Sequence, residues 1–516
     1  MEKSFDMPSE KLPFEAAMDK VGFGLYGVLL TALTAMILLG FSCIAYSTMF
    51  IVPTSACELA TTPSQQGILA AGPIAGLLLG GMIWSYLADT RGRRTPLIMS
   101  LIFGAVFNTI GTISVNWIML LIFQFLGSFC SSGLYLMSMS LLSESVPMAN
   151  RSIVVIIVSS ITLVAQGFMA LLAIPIIPLR FSYYLPGLGI YWNSWRMLLL
   201  IFSIPHIFSA ICLVFMQESP KFVFTKGDEN KALEILQAIH YINNWTVDEE
   251  LQVKCLLKDE ISVIIDSTSK SMEKDHMSLF RMPLLKNIII MLFLYTVQQF
   301  GAFFVWLPKI ADQFVRIIQT GDKANLTMCR VLNMKPRIVN INETPCSLDE
   351  TSLLIVLSIG VLQAIFNFCV GYIINFVGRR NMTMVMFLAS GVSSILVNLV
   401  PHTIGSAALF IFMSMGGIVY GLCTSICVDL FLTNLRTLVI AMTMTAYYVG
   451  TVASIQIFNL SLLNHCDTSF YLFGSILVLA AVVTSFLPND LQVRKQTIQL
   501  ELVDIESLMD EPRKEN

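Results

Sequence analysis

The polar side chains inside the apolar stretches of this sequence are nearly all neutral: Gln124, Gln166, Gln298, Gln299, Gln363, Asn367 and Gln456, with Tyr46, Tyr295, Tyr447 and Tyr448. Amides and phenols donate and accept hydrogen bonds without changing charge, and an amide in an apolar medium needs such partners. Their chemistry is recognition of a solute, or helix-to-helix hydrogen bonding worth about 0.6–2 kcal/mol per bond. The adjacent pair Gln298 and Gln299 leads the candidates for cavity lining, followed by Gln124, Gln166, Gln363, Asn367, Tyr46, Tyr447 and Trp306. His206 and His402 stand alone and read as packing or interface residues. There is no His/Cys set at metal spacing, no phosphate-cradling glycine loop and no nucleophile with a plausible base. The expectation is a protein that is not an enzyme and needs no cofactor or metal.

The charged residues that form motifs lie elsewhere, and they come in pairs. Ser85-Tyr-Leu-Ala-Asp89-Thr-Arg91-Gly92-Arg93-Arg94 is matched by Gly371-Tyr-Ile-Ile-Asn375-Phe-Val-Gly378-Arg379-Arg380. Glu144-Ser-Val-Pro147 followed by Arg151 is matched by Asp429 followed by Arg436, acid and base seven apart in both. Glu218-Ser-Pro220-Lys-Phe stands alone. A glycine permits a tight turn, and arginines can hold helix C-termini and carboxylates. One arginine cluster is no more than membrane topology requires; two at corresponding positions are more than topology alone accounts for.

These residues need a scaffold that crosses a membrane. Of the 516 residues 55% are hydrophobic and 13% charged, against about 25% charged in soluble proteins. Apolar runs near 21–48, 66–88, 95–114, 117–142, 152–176 and 194–216 predict six spans, and runs near 287–307, 351–374, 382–400, 404–430, 437–460 and 469–487 predict six more. The expected organisation is a tail (1–20), a six-helix bundle (21–216), a polar central loop (217–286), a second six-helix bundle (287–487) with a long loop at 308–350, and a second tail (488–516). Six spans, a break and six spans is a parallel-repeat layout. Of the 31 Lys and Arg, only Arg180, Arg196 and those in 308–350 fall on one side, so both tails are expected in the cytosol. The net charge of −3 is segregated along the chain rather than patched. The expected partners are the lipid bilayer and a small-molecule substrate, not nucleic acid.

The loop 308–350 carries the glycosylation acceptors Asn325-Leu-Thr and Asn342-Glu-Thr. It also carries Cys329 and Cys346, which either pair in an oxidising compartment or stay free. Cys57 and Cys466 are further candidates on that side.

The paired loops after the second and eighth spans resemble the signature loop of the major facilitator superfamily. Val52-Pro53, Trp84 with Leu87-Ala88-Asp89, Trp192-Asn-Ser194-Trp195-Arg196, the run from Glu218 to Ala232, and Trp306-Leu-Pro308 are similar to the synaptic vesicle glycoprotein 2 group of that superfamily, related to sugar porters and organic ion transporters. The resemblance implies an all-α fold of twelve transmembrane helices in two six-helix bundles. It also implies an inner gate built from Asp89, Gly92, Arg93, Arg94, Glu144, Arg151, Glu218, Asn375, Gly378, Arg379, Arg380, Asp429 and Arg436, and a cavity lined by spans one and seven.

Several positions depart from the proton-coupled pattern. Span one has no acid between Gly40 and Tyr46, the usual arginine of span four is Gln124, Ser85 replaces a signature glycine and Asn375 a signature acid. A charge at mid-bilayer costs about 2.5–3.5 kcal/mol and is kept for ion or proton work. The expectation is a facilitative carrier working by alternating access, for a small neutral sugar-like solute or an organic ion. A transporter-shaped protein that no longer transports, acting in trafficking or as a receptor, is the competing reading. Plasma membrane and secretory or synaptic-type vesicle are both compatible.

Overall fold

The computed structural model describes residues 10–244, 253–257, 284–298, 305–319, 327–333, 348–431 and 433–488. Gln299, Asn325, Asn342 and Cys346 lie outside the described residues, as do the side chains of Asn375, Asp429 and Arg436.

Strand β1 (Glu10–Pro13) and helix α1 (Phe14–Val21) precede the first bundle. The bundle comprises α2 (Leu25–Ala45), α3 (Thr48–Ser55), α4 (Pro63–Arg91), α5 (Arg94–Gly111), α6 (Trp117–Ser131), α7 (Leu134–Glu144), α8 (Met148–Leu163), α9 (Ala165–Ala173) and α10 (Ser194–Val214). A short hairpin, β2 (Tyr183–Leu185) and β3 (Ile190–Trp192), leads into α10. The central segment forms α11 (Pro220–Thr225), α12 (Glu229–Asn243) and β4 (Val253–Leu257), and β4 pairs in parallel with β1. The second half comprises α13 (Leu284–Gln298), α14 (Leu307–Gln319), α15 (Met328–Asn333), α16 (Glu350–Val377), α17 (Arg379–Leu396), α18 (Thr403–Ser414), α19 (Val419–Leu430), α20 (Thr433–Asn464) and α21 (Cys466–Thr484). By contact the chain divides into two compact units. One comprises Met1–Ser271, Leu307–Val315 and Ile338–Ala364; the other comprises Met272–Trp306, Arg316–Arg337 and Ile365–Asn516.

A helix stands at each of the twelve predicted spans. Among the described residues nine helical segments are long and apolar enough to cross a membrane, and α8 with α9, bent by 42°, makes a tenth. Leu79, Met82, Phe208, Ile211, Phe368 and Phe376 are exposed. Helices apolar on every side are stable only where lipid takes the place of water. The more polar α17 hides its hydroxyls against neighbours: Ser390 donates to the Met413 carbonyl at 2.9 Å and Ser394 to the Phe470 carbonyl at 2.9 Å. Local chemistry sets the ends. Thr62 and Gln65 form a reciprocal capping box at the start of α4, with Pro63 in its first turn. Asn116 accepts from the Met119 N–H to start α6. On α4, a Cβ at Gly76 would meet the Phe125 carbonyl oxygen and one at Gly80 the Phe129 carbonyl oxygen, so small residues let α4 and α6 approach closely.

Candidate functional site

Inside the first unit the polar residues form a closed network. Ser47, in the break between α2 and α3, donates to Gln124 Oε1 at 2.5 Å. Gln124 Nε2 donates to Asn108 Oδ1 at 3.0 Å. Asn108 Nδ2 donates in turn to the Leu199 carbonyl at 2.9 Å and to Ser203 Oγ at 2.8 Å. Gln124 and Asn108 are fully buried, and both ends of each amide are occupied. The network ties the α2–α3 break to α6, α5 and α10. His206 is also fully buried, its Nε2 3.3 Å from Ser131 Oγ, whereas His402 caps α18 by accepting from the Gly405 N–H.

Gln298 is the opposite case. It closes the described part of α13 with its side chain 6% exposed, and neither amide atom has a hydrogen-bond partner among the described residues. One turn earlier on α13, Tyr295 is buried and shares a 2.8 Å hydrogen bond with Thr424. Its ring meets Tyr420 edge-on at 5.9 Å, Tyr420 meets Tyr447 at 4.9 Å, and Tyr447 meets Tyr448 at 5.4 Å. Helices α13, α19 and α20 thus contribute one run of tyrosine rings, joined through Tyr420. Sequence reasoning picked out the other three and missed Tyr420; its only signal is one more phenol in an apolar span.

The remaining candidates are scattered. Gln166 is half-buried with its Oε1 unpartnered among the described residues. A Cβ added at Gly360 would fall 2.8 Å from the Gly167 nitrogen, so α9 and α16 cross closely beside Gln166, with Gln363 buried one turn further along α16. Asn367 is half-buried on the same helix, Tyr46 is half-buried in the α2–α3 break, and Trp306 is buried just before α14.

The loop from α4 to α5 is built around one carboxylate. Gly92 has φ +102°, and a Cβ there would lie 2.6 Å from Glu218 Oε2, so both its backbone and the space require glycine. Glu218 accepts from the N–H groups of Arg93 at 2.8 Å, Arg94 at 3.0 Å and Ser219 at 3.0 Å, placing negative charge at the N-terminus of α5. Arg94 donates to the carbonyls of Leu213 and Val214 that end α10. Arg93 pairs with Asp89 at 2.5 Å and with Glu144 at 3.4 Å. Burial pulls its guanidinium down, and the two carboxylates outweigh that and hold it above its ordinary value. Glu144 also accepts from Ser140 and Ser219. Arg151 pairs not with Glu144 but with Glu15 of α1, at 3.3 Å. In the second half Gly378 has φ +85° and begins α17. Arg379 donates to the Ser425 carbonyl at 3.4 Å, and Arg380 is half-buried beside it.

A second ionic group, buried at its cation, escaped sequence reasoning. Arg196, 1% exposed, pairs with Glu58 at 2.6 Å and donates to the carbonyls of Thr112 and Ser114 at 2.6 and 2.9 Å. Its guanidinium lies 4.3 Å over the Trp195 ring, while Trp195 Nε1, at 2.7 Å, and Asn193 also donate to Glu58. The available signal was that Glu58 is the only charged residue between Lys20 and Asp89. The disulfide needs a correction. Cys329 bonds to Cys466, with a Cα separation of 5.7 Å, not to Cys346. Closeness in sequence suggested the latter, but α15 lies against the second unit, with the Cys329 N–H donating to Asn398 at 3.1 Å. Cys57 is disulfide-bonded as well.

Two runs of long apolar helices, neutral side chains in their interiors and arginine-bearing turns at matching positions define a multi-pass membrane protein. The chain belongs to the Major Facilitator Superfamily, whose family model matches residues 27–316 and 340–508. It is 28% identical over 229 residues to svop-1 of Caenorhabditis elegans, covering 44% of this chain and 41% of that one. It is 24% identical over 230 residues to human synaptic vesicle glycoprotein 2A, covering 45% and 31%. These matches span less than half the length of either relative. They bear out the expected resemblance to the synaptic vesicle glycoprotein 2 group. The inward open conformation of the xylose transporter XylE from E. coli superimposes with a TM-score of 0.64 at 16% identity, over 90% of this chain and 96% of that one. That likeness shows the fold.

Proposed function

We propose that this protein is a facilitative carrier for a small neutral polar solute of sugar-like chemistry, working by alternating access in a plasma or vesicle membrane with both tails in the cytosol. The observation that supports the solute class most is Gln298. A buried amide with neither end satisfied costs about 1–3 kcal/mol, and a hydroxylated solute offering both a donor and an acceptor removes that cost when it binds. The tyrosine run beginning one turn away offers ring faces and phenols to the same solute. The facilitative mode is supported by the charge distribution: in the described spans the Asp, Glu, Lys and Arg residues lie in the end turns, which leaves no carboxylate at mid-bilayer to carry a proton. The Cys329–Cys466 disulfide fits a sidedness in which α15 faces an oxidising compartment.

The test is uptake into proteoliposomes of a panel of pentoses, hexoses, polyols and organic ions, with and without a pH gradient, for the natural sequence and for Gln298→Leu. Uptake of a neutral solute that is indifferent to the pH gradient and lost in Gln298→Leu is the expected result. Uptake abolished by collapsing the gradient removes the facilitative mode. If no solute moves under any gradient, the non-transporting reading replaces this one.

A further inference from the structure

The N-terminal segment occupies a built surface. Helix α1 buries Phe14, Ala17, Met18 and Val21, the i, i+3, i+4, i+7 stripe of an amphipathic helix. Phe14 stacks on Phe224 of α11 with centroids 5.3 Å apart. Glu15 bridges two elements: Oε1 lies 2.7 Å from Lys221 Nζ on α11 and Oε2 3.3 Å from Arg151 Nη2 on α8. At the other end of α1, the Asn243 amide at the C-terminus of α12 donates to the carbonyls of Val21 and Gly22 at 3.3 and 3.0 Å. Its oxygen accepts from the Tyr26 N–H at 3.0 Å. In front of α1, residues 10–13 pair with the 253–257 strand of the central segment.

Arg151 and Lys221 belong to the two motif loops that begin at Glu144 and Glu218, yet the carboxylate they share comes from outside both loops. Remove it, and two cations drawn toward one point are left to repel each other. The apolar contact is a stripe of two helical turns with a single aromatic pair, Phe14 on Phe224.

We propose that residues 10–22 are a conformational latch: α1 docks on a basic and apolar surface made by Arg151, Lys221 and Phe224, and while docked it holds the first turn of α8 to α11. Undocking frees both motif loops together, so any event that neutralises Glu15 or competes for its two cations loosens that end of the bundle. This goes beyond the carrier function and does not depend on which solute, if any, is moved.

The latch is tested by hydrogen–deuterium exchange on the full chain in detergent micelles, comparing the natural sequence with Glu15→Lys, Lys221→Glu and the double exchange. Each single change is expected to raise exchange in residues 14–22, 148–151 and 220–225 together by about 3–10-fold, the worth of two partly exposed ion pairs. The double exchange recovers protection of 14–22 and 220–225. Asp19→Lys, on the exposed face of the same helix, leaves all three segments unchanged. Glu15→Gln gives the same joint release if Glu15→Lys does not fold. Protection unchanged in the single variants overturns the latch. So does release of 14–22 with α8 and α11 unmoved, because the tail would then be a passenger on those loops rather than their clamp.

Discussion

Gln124 and Gln298 are the same side chain in two halves of one chain, and the protein treats them oppositely. Gln124 is enclosed by Ser47 and Asn108, and that chain continues to Ser203 and the Leu199 carbonyl. Gln298 is nearly as buried and has no hydrogen-bond partner among the described residues. An amide with both ends occupied holds helices and has nothing left to offer a solute. One with both ends empty costs stability until something binds. The first half is thus cross-linked by its polar groups, and the second carries a polar vacancy next to its tyrosine rings. Burial does not separate them, and only the partners do.

This contrast sets the order of expected effects. The largest belongs to the ionic group of the first half. Arg196→Met leaves the partly exposed Glu58 carboxylate without its cation and two carbonyls without the donors of a buried guanidinium, and should cost about 3 kcal/mol, the low end for a buried pair. Chemical unfolding in mixed micelles should show that loss. A change under about 1 kcal/mol would mean the pair is far more hydrated than its burial implies.

Next comes the direct comparison. Gln124→Leu strands the Asn108 carbonyl oxygen, while the Ser47 hydroxyl keeps the Ile44 carbonyl, and should cost about 1–3 kcal/mol. Gln298→Leu removes a group whose atoms are already unsatisfied, so it should leave unfolding unchanged or raise stability slightly while abolishing uptake. Equal losses of stability in both variants would break the distinction drawn between a structural and a ligand-facing amide.

Much of this was legible in the sequence. Spans follow from apolar length, and the placement of helices at 66–88 or 351–374 needed nothing more, because lipid leaves the backbone few alternatives. The signature loop was legible too, since Gly92 and its arginines obey a local geometric rule. What stayed hidden depends on partners distant along the chain. No spacing rule connects Glu58 to Arg196 or Glu15 to Arg151, and Cys329 looked toward its sequence neighbour Cys346 although folding brings it to Cys466. The same holds for the amides. Composition marks Gln124 and Gln298 alike, and only the fold shows which one found partners.

A smaller effect is expected at the latch as pH changes. Burial raises the Glu15 carboxyl, and Lys221 and Arg151 more than offset that, leaving it below its ordinary value. A lowered folded pKa means that its contribution is fully present above the unfolded value of about 4.3 and is lost as pH falls through the lower folded value. Lys221 and Arg151 are the cations facing it. Protection of residues 14–22 should therefore be flat from neutral pH to about 5 and fall below about 4, and Glu15→Gln should remove that step. A step that persists in the variant belongs to another carboxylate.

The smallest effect is expected where the first half most resembles a motif diagram. Asp89 pairs with Arg93 at 2.5 Å, but its side chain is 69% exposed, and such pairs contribute about 0–1 kcal/mol. Glu218 shares that loop, is half-buried and accepts three backbone N–H groups. Glu218→Gln keeps the shape but replaces one accepting oxygen with a donor that faces other donors, so it should cost more than Asp89→Asn. If Asp89→Asn alone collapses uptake while unfolding stays within about 1 kcal/mol, Asp89 acts on conformational exchange and not on the stability of this fold. If it moves neither, the carboxylate that organises the α4–α5 turn is Glu218, and Asp89 is a solvated neighbour of Arg93.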